Sequence, residues 1–163
     1  MTVRRGAGIR GALTTLRPAT DADADLLVTW HRDPDVARYW DDETFTREEM
    51  LERLRRTDVD SYMVEADGID VGYLQVWTDD GRSGGIDMFL MPAARGRGYG
   101  PDAGRAAARY LRDQRAWRRV TVDPYTWNEH AVRAWTRAGF VTVGEGAPDD
   151  QHSAAWLLME FRE

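Results

Sequence analysis

The chain has 163 residues, 42% hydrophobic and 31% charged, with 22 basic against 28 acidic side chains and a net charge of -6. That is the size and mixture of one compact domain, and the wrong sign for gripping nucleic acid over a broad face. Every basic side chain is Arg and no Cys occurs, which excludes Schiff-base lysines, Walker-type lysines, disulfides and thiolate nucleophiles or metal ligands.

Residues 1–12 are rich in Gly and Arg without a period, and read as a flexible tail able to add an edge strand near its end; residues 13–163 read as one domain. From Leu13, LTTLRPA is a short strand stopped at Pro18. Thr20 with Asp23 makes a capping-box start for a helix bearing Leu26, Leu27 and Trp30. A second helix opens at Thr46 with Glu49 in the same relation, and Met50, Leu51 and Leu54 form its apolar face; the aromatic, acidic WHRDPDVARYWDDETF connects the two. SYMVEA and IDVGYLQVW flank Asp67-Gly68, suited to the positive φ angles of a hairpin turn, and GGIDMFLM is a third long strand. PAARGRGYGPDAGRAAARYLRDQ then passes from a glycine-rich loop into a helix with Ala103, Ala107, Tyr110 and Leu111 inward. RRVTVD is a strand. Asn128 caps a helix that buries Ala131, Val132, Trp135 and Ala138, and Gly139 suits its left-handed end; FVTVGE and AAWLLMEF are closing strands. The order β-α-α-β-β-β-α-β-α-β-β describes an α/β (α+β) fold, a mixed sheet with helices on both faces. No run of about 18 apolar residues offers a membrane span and no apolar signal core follows Arg4-Arg5, so a cytoplasmic protein is expected.

In Arg95-Gly96-Arg97-Gly98-Tyr99-Gly100, glycines let successive backbone N–H groups face one point while the following helix directs its positive end there, making an anion site. Arg95 and Arg97 add mobile charge suited to a polyphosphate, and Pro101 is tolerated in the first helical turn. The alternative is an Arg- and Gly-rich loop with no ligand. The glycines are spaced by two and no GKS or GKT follows, so the pattern is neither a dinucleotide fingerprint nor a Walker loop.

A glycine loop between a strand ending near Met91 and an amphipathic helix, then a strand ending at Asp123-Pro124 and a helix ending in AGF, resembles the GNAT N-acetyltransferases over residues 13–163. Their acyl-CoA loop pattern is matched by Arg95, Gly98 and Gly100. GYLQ at 72–75, GGIDMFL at 84–90, TVDP at 121–124 and NEHAVRAWTRAGF at 128–140 are similar to the aminoglycoside 6'-N-acetyltransferases of that superfamily. The resemblance implies a mostly antiparallel sheet whose central parallel strands splay apart, with acetyl-CoA as acetyl donor entering between them. It also implies pyrophosphate on the N–H groups of Arg97, Gly98, Tyr99 and Gly100, with Arg95 and Gly96 completing the loop. Pantetheine would follow Phe89 and Leu90, a free N–H near Met88, Phe89 or Leu90 would meet the thioester oxygen, and Asn128 would adjoin the cofactor.

Acyl transfer to nitrogen needs an unprotonated amine, and a carboxylate both attracts the ammonium form and helps remove its proton. Asp87, an anion among Ile86, Met88 and Phe89, and Asp123 are the candidate catalytic residues. The alternatives are an Asp87 satisfied by Arg or loop N–H groups, and an Asp123 that caps the following turn. The resemblance implies that both line the acceptor site, Asp87 closer to base duty and Asp123 holding the amine. Many relatives carry a Tyr in the last helix that protonates the departing thiolate; Trp135 stands there, and indole cannot be that acid, which leaves Tyr125 and Thr136 as hydroxyl candidates.

Asp33, Asp35, Asp41, Asp42 and Glu43 flank Tyr39 and Trp40, and Asp79 and Asp80 follow Trp77. A carboxylate-rimmed pocket with aromatic walls suits a flat polyamino sugar, and Tyr39, Trp40, Asp41, Trp77 and Tyr125 join Asp87 and Asp123 as expected substrate contacts; the alternative is a solvated acidic surface. His31, His130 and His152 lack metal spacing and read as packing or surface residues, and no metal site is expected. The functional expectation is acetyl transfer to the 6'-amine of an aminoglycoside by direct attack in a ternary complex. A monomer or homodimer would act on a small polycationic amine, with neither nucleic acid nor membrane as partner. Two other readings are an acyltransferase acting on a protein N-terminus or siderophore amine, and an acyl-CoA- or drug-binding domain without chemistry.

Overall fold

The structure, a computed structural model, describes residues 8–163. Its elements are β1 (Ile9–Arg10), β2 (Thr15–Pro18), α1 (Ala24–Arg32), α2 (Pro34–Ala37), α3 (Arg47–Arg55), β3 (Val59–Ala66), β4 (Ile69–Thr78), β5 (Ser83–Leu90), α4 (Tyr99–Asp113), β6 (Arg119–Val122), α5 (Glu129–Ala138), β7 (Phe140–Gly146) and β8 (Trp156–Phe161). The helix starts follow the capping residues. Thr46 Oγ1 accepts the Glu49 N–H at 3.2 Å, Asn128 Oδ1 accepts the Ala131 N–H at 3.2 Å, and Gly139 ends α5 at φ 105°. Helix α2 was not foreseen: it lies in the acidic connection, where Asp33 accepts the Asp35 N–H at 2.9 Å and Pro34 takes the first helical position.

The strands form an eight-stranded sheet in the order β1-β2-β3-β4-β5-β6-β8-β7, antiparallel except between β5 and β6. The expected mixed, mostly antiparallel sheet is therefore present. The parallel pairing is short: Ser83, Gly84 and Gly85 meet Arg119, Val120 and Thr121, after which β6 continues beside β8. From residue 86 onward β5 keeps β4 on one side and has no strand on the other. This is the splay, and its open edge carries unspent main-chain groups.

Period-two alternation sends neighbouring residues of β4 and β5 to opposite faces. Leu74, Val76 and Ile86, with Val120 and Val122, pack against Ala103, Ala107, Ala108 and Leu111 of α4 and Trp135 and Ala138 of α5. Tyr73 and Phe89 face the other way, onto Leu27, Trp30, Val36 and Met50 from α1, α2 and α3. Each such buried large side chain contributes about 1.5–3 kcal/mol. Gly104 lets α4 and α5 close up: a β-carbon there would stand 2.7 Å from the Trp135 ring.

Of the segment read as a tail, residues 1–7 lie outside the described residues. Residues 8–12 are anchored, for β1 pairs with β2 and Asp102, in the first turn of α4, accepts the N–H groups of Ala12, Leu13 and Thr14 at 2.9, 3.0 and 2.9 Å. No helix of the described chain is long and apolar enough to cross a membrane.

Candidate active site

Beyond its paired segment, β5 presents Asp87 on the same face as Phe89, and Gln75 of β4 stands opposite it in register. Gln75 donates to Asp87 Oδ2 at 3.0 Å, while its carbonyl accepts Arg53 at 2.7 and 3.1 Å and the Tyr73 hydroxyl at 3.3 Å. With the amide oxygen taken by donors, its NH2 is obliged to face the carboxylate. Burial, and then the charge of Asp123, push Asp87 up to about 6, against the Gln75 bond and the cations Arg53 and His152. Asp87 is thus a carboxylate that is ionised at neutral pH but holds a proton far better than an ordinary one.

Asp123 follows the last residue of β6. Its Oδ2 is 2.6 Å from His152 Nε2, and Asp149 Oδ1 is 2.8 Å from His152 Nδ1. Burial disfavours a charged His152, but hydrogen bonds to Asp123 and Asp149 outweigh it and raise its pKa above the ordinary value.

Asp87 and Asp123 open into a cleft of ≈ 270 Å³ whose walls include Tyr39, Trp40, Asp41, Trp77 and Tyr125, together with Met88 and Asn128. The structure therefore brings into one cleft the seven residues named as expected substrate contacts. Gly85 makes part of this floor possible, because a β-carbon there would lie 2.3 Å from the Trp77 ring. Over the cleft, Tyr125 donates to Asp41 at 2.5 Å, Ser153 donates to the same oxygen at 3.3 Å, and Trp127 stacks between Tyr39 and Tyr125 at 5.7 and 5.8 Å. Asp41 and Asp42 adopt φ of 53° and 54°, the left-handed turn that aspartate tolerates better than most residues.

The acidic rim is narrower than expected. Asp33 caps α2, and Asp80 accepts the N–H groups of Arg82 and Ser83 at 2.8 and 2.9 Å in the β4–β5 turn. Short-range capping claims these carboxylates. Asp35, Asp42 and Asp79 are also absent from the cleft walls, whereas Asp41 and Glu43 belong to them.

At the other end of the splay, Gly96 and Gly98 take φ of 77° and 83°, and Gly98 is the N-cap of α4. No atom lies within 4 Å of where a Gly96 β-carbon would be, and Gly100 lies against Leu90 and Met88, at 3.7 and 3.9 Å from its β-carbon position. The first-turn amides of α4, without acceptors inside the helix, thus adjoin the open edge of β5. Arg97 is exposed and makes no hydrogen bond or ion pair among the described residues. Arg95 is a correction: it donates to the Leu90 and Asp35 carbonyls at 3.0 and 2.7 Å and lies over the Tyr39 ring, so it fastens the end of β5 to α2 instead of adding mobile charge. Phe89 is a correction: its ring is buried against Trp30, and ladder alternation turns its N–H and C=O toward Tyr73 of β4, so Met88 and Leu90 are the residues whose main chain faces the open edge.

Neither hydroxyl candidate is a ready acid. Thr136 donates to the Val132 carbonyl at 2.8 Å, and burial followed by the Asp41 bond raises the Tyr125 pKa. Trp135 lines the cleft with its ring against Phe140 at 5.1 Å. Sequence reasoning missed His152, Gln75, Arg53 and Trp127 as parts of the site. Gln75 could have been found by aligning the β4–β5 hairpin; His152 sits in an aperiodic loop with no local signal. Among the described residues no cluster of His, Asp and Glu could hold a metal ion.

The family described as Acetyltransferase (GNAT) domain matches residues 14–141. Aminoglycoside N(6')-acetyltransferase type 1 from Klebsiella pneumoniae and from Serratia marcescens are each 27% identical over 150 residues, spanning 80% of this chain and 75% of the relative. Among solved structures, AAC(6')-Ib with coenzyme A and kanamycin superposes with TM-score 0.78 at 24% identity, covering 90% of this chain and 93% of that one. Spermidine N-acetyltransferase from Vibrio cholerae, with CoA and spermine, gives 0.80 at 17% identity over 92% and 95% of the two chains. A GNAT-family acetyltransferase from Bacillus anthracis gives 0.82 at 17% identity over 95% and 98%.

Proposed function

The chain belongs to the GNAT acetyltransferase family, and from that premise we propose that it moves the acetyl group of acetyl-CoA to the 6'-amine of an aminoglycoside by direct attack in a ternary complex. The observation that carries this reading is the pair Asp87 and Asp123 at the mouth of the splay, in a cleft walled by Asp41, Glu43 and aromatic rings. A polyamine is held there by charge, and flat sugar rings gain from Tyr39, Trp40, Trp77 and Tyr125.

Acetyl-CoA supplies an activated acyl carbon. The main chain at Gly96, Arg97, Gly98, Tyr99 and Gly100, with the positive end of α4, would hold its diphosphate. The unpaired edge offers the main chain of Met88 and the Leu90 N–H to pantetheine, and one of these N–H groups stabilises negative charge developing on the thioester oxygen. Asn128 spends its carbonyl on α5 and keeps its NH2 for the cofactor.

On the acceptor side, Asp123 anchors the ammonium and Asp87 takes one of its protons, freeing the lone pair for attack. The C–N bond forms, the C–S bond breaks, and the second N–H proton leaves with the thiolate as CoA-SH. The balance is R–NH3+ plus acetyl-CoA giving R–NH-acetyl, CoA-SH and one proton, which Asp87 returns to solvent. A thiolate of modest basicity departs without a side-chain acid, consistent with Trp135, whose indole is no such acid, in the cleft wall.

The test is CoA release across kanamycin-type aminoglycosides, spermidine, lysine derivatives and short peptides, with mass analysis of each product. The reading predicts fastest turnover for aminoglycosides bearing a 6'-amine, acetylated there. No turnover with any aminoglycoside would overturn it, and acetyl-CoA binding without CoA release for every amine would mark a binding domain.

A further inference from the structure

His152 lies on the loop joining β7 to β8, outside every motif of the chain. A pair of main-chain bonds between Asp149 and His152, at 2.9 and 3.3 Å, folds the loop back on itself, and the imidazole stacks on Trp156 at 4.3 Å and 13°, with 11% of the side chain exposed. Both ring nitrogens face carboxylate oxygens, Nε2 toward Asp123 at 2.6 Å and Nδ1 toward Asp149 at 2.8 Å. Ionised carboxylates only accept hydrogen bonds, and a neutral imidazole has one N–H, so one of these contacts would oppose two lone pairs. Only the imidazolium satisfies both, and charge-assisted bonds of this length are the strong ones.

We infer that His152 is a positioning residue for acetyl transfer: as a fixed imidazolium bridging Asp149 and Asp123, it holds the Asp123 carboxylate in place as the ammonium anchor and leaves Asp87 as the carboxylate that takes the proton. The charge of Asp123 makes Asp87 harder to ionise, and a cation held against Asp123 offsets that effect. Here the supports differ in kind, with a neutral amide from Gln75 on Asp87 and a cation from His152 on Asp123. The groups facing His152 are Asp149 from its own loop, Asp123 from the end of β6, Tyr125 edge-on at 6.1 Å and the uncharged Trp156 of β8. Asp87 acts on it across the cleft, and Asp41 stands behind Tyr125. All the titratable neighbours named are acids, so no adjoining cation opposes the protonated bridge.

The inference rests on the acetyl-transfer reading, and its test has one readout that needs no turnover. In the resting protein, NMR of the His152 ring nitrogens should show both protonated at about pH 7, with a midpoint above the ordinary 6.5 that falls in Asp149→Asn. With kanamycin and acetyl-CoA, the acidic limb of kcat/KM should move upward by about one pH unit in His152→Gln and His152→Ala, because Asp87 loses a favourable cation. Acetyl-CoA affinity should hold, and added imidazole should return the limb toward its original position in His152→Ala. A neutral His152 ring at about pH 7, or a uniform loss of rate with the limb unmoved, would overturn the positioning role. Absence of turnover with every amine overturns the acetyl-transfer reading and the role with it, while the bridge itself is decided by the titration.

Discussion

Replacing Asp87 by Asn should make the protein a worse enzyme and a more stable fold. The carboxyl is pushed from the ordinary 3.8 up to about 6, a difference of roughly 2 pH units, which at 1.36 kcal/mol per unit sets a ceiling of about 3 kcal/mol on the cost of keeping it ionised. The sign follows from the protonation states. Below about pH 4 the carboxyl is neutral in folded and unfolded chains alike and the variant gains nothing; above about pH 6 the folded chain carries the full cost, which the amide lacks. Asn is isosteric, and its carbonyl can accept the Gln75 N–H that Asp87 accepts at 3.0 Å. Urea unfolding at about pH 7 and about pH 4 should therefore show a gain of up to about 3 kcal/mol at the higher pH only. Turnover should drop at least about tenfold, equivalent to about 1.4 kcal/mol in the barrier, with acetyl-CoA affinity nearly unchanged. Equal stability at both pH values would refute the desolvation argument, and undiminished turnover would remove Asp87 from the mechanism.

Gln75→Leu withdraws the amide that holds Asp87 and the carbonyl that accepts Arg53, so the acidic limb of kcat/KM should rise by about one pH unit; an unmoved limb would show that the amide is not coupled to the base. Gly98→Val forces a β-branched residue to φ 83° and blocks backbone approach to phosphate, and titration calorimetry should show acetyl-CoA binding weakened by about tenfold or more; retained affinity would mean the loop is misassigned. His31 is fully buried against Phe45, Phe89 and Trp40, with neither ring nitrogen partnered among the described residues, and burial followed by the charge of Arg53 lowers it from 6.5 to about 4. Its stability contribution is present above about pH 6.5 and lost toward about pH 4, so His31→Leu should gain on the wild type by up to about 3 kcal/mol as pH falls through that window. The comparison must be a difference, because Asp87 runs the opposite way; a constant difference would contradict the buried, neutral imidazole.

The strands and helices were legible because each carries its own period and its own cap. Thr46, Asn128 and Gly139 perform the roles their residue types announce, and the hairpin at Asp67-Gly68 joins β3 to β4. The short helix α2 escaped because it spans four residues, too few for a period to register, although Asp33-Pro34 carries its start. Within the candidate site, Asp87 and Asp123 at strand ends and Tyr39, Trp40 and Asp41 of the aromatic loop line one cleft, since period-two alternation fixes the face a strand residue takes. What stayed hidden depended on long-range partners. Arg95 looks like mobile charge until carbonyls of β5 and α2 claim it, Asp80 looks like rim until turn N–H groups claim it, and His152 acquires a task only when its loop folds onto Asp123.

The most direct measurement is a crystal structure of the protein grown or soaked with acetyl-CoA. The account predicts the diphosphate against the main-chain amides at residues 97–100, pantetheine along the open edge of β5, and the thioester pointing into the cleft of Asp87 and Asp123. A cofactor bound elsewhere, or a cleft that stays closed to the thioester while acetyl transfer proceeds, would contradict it.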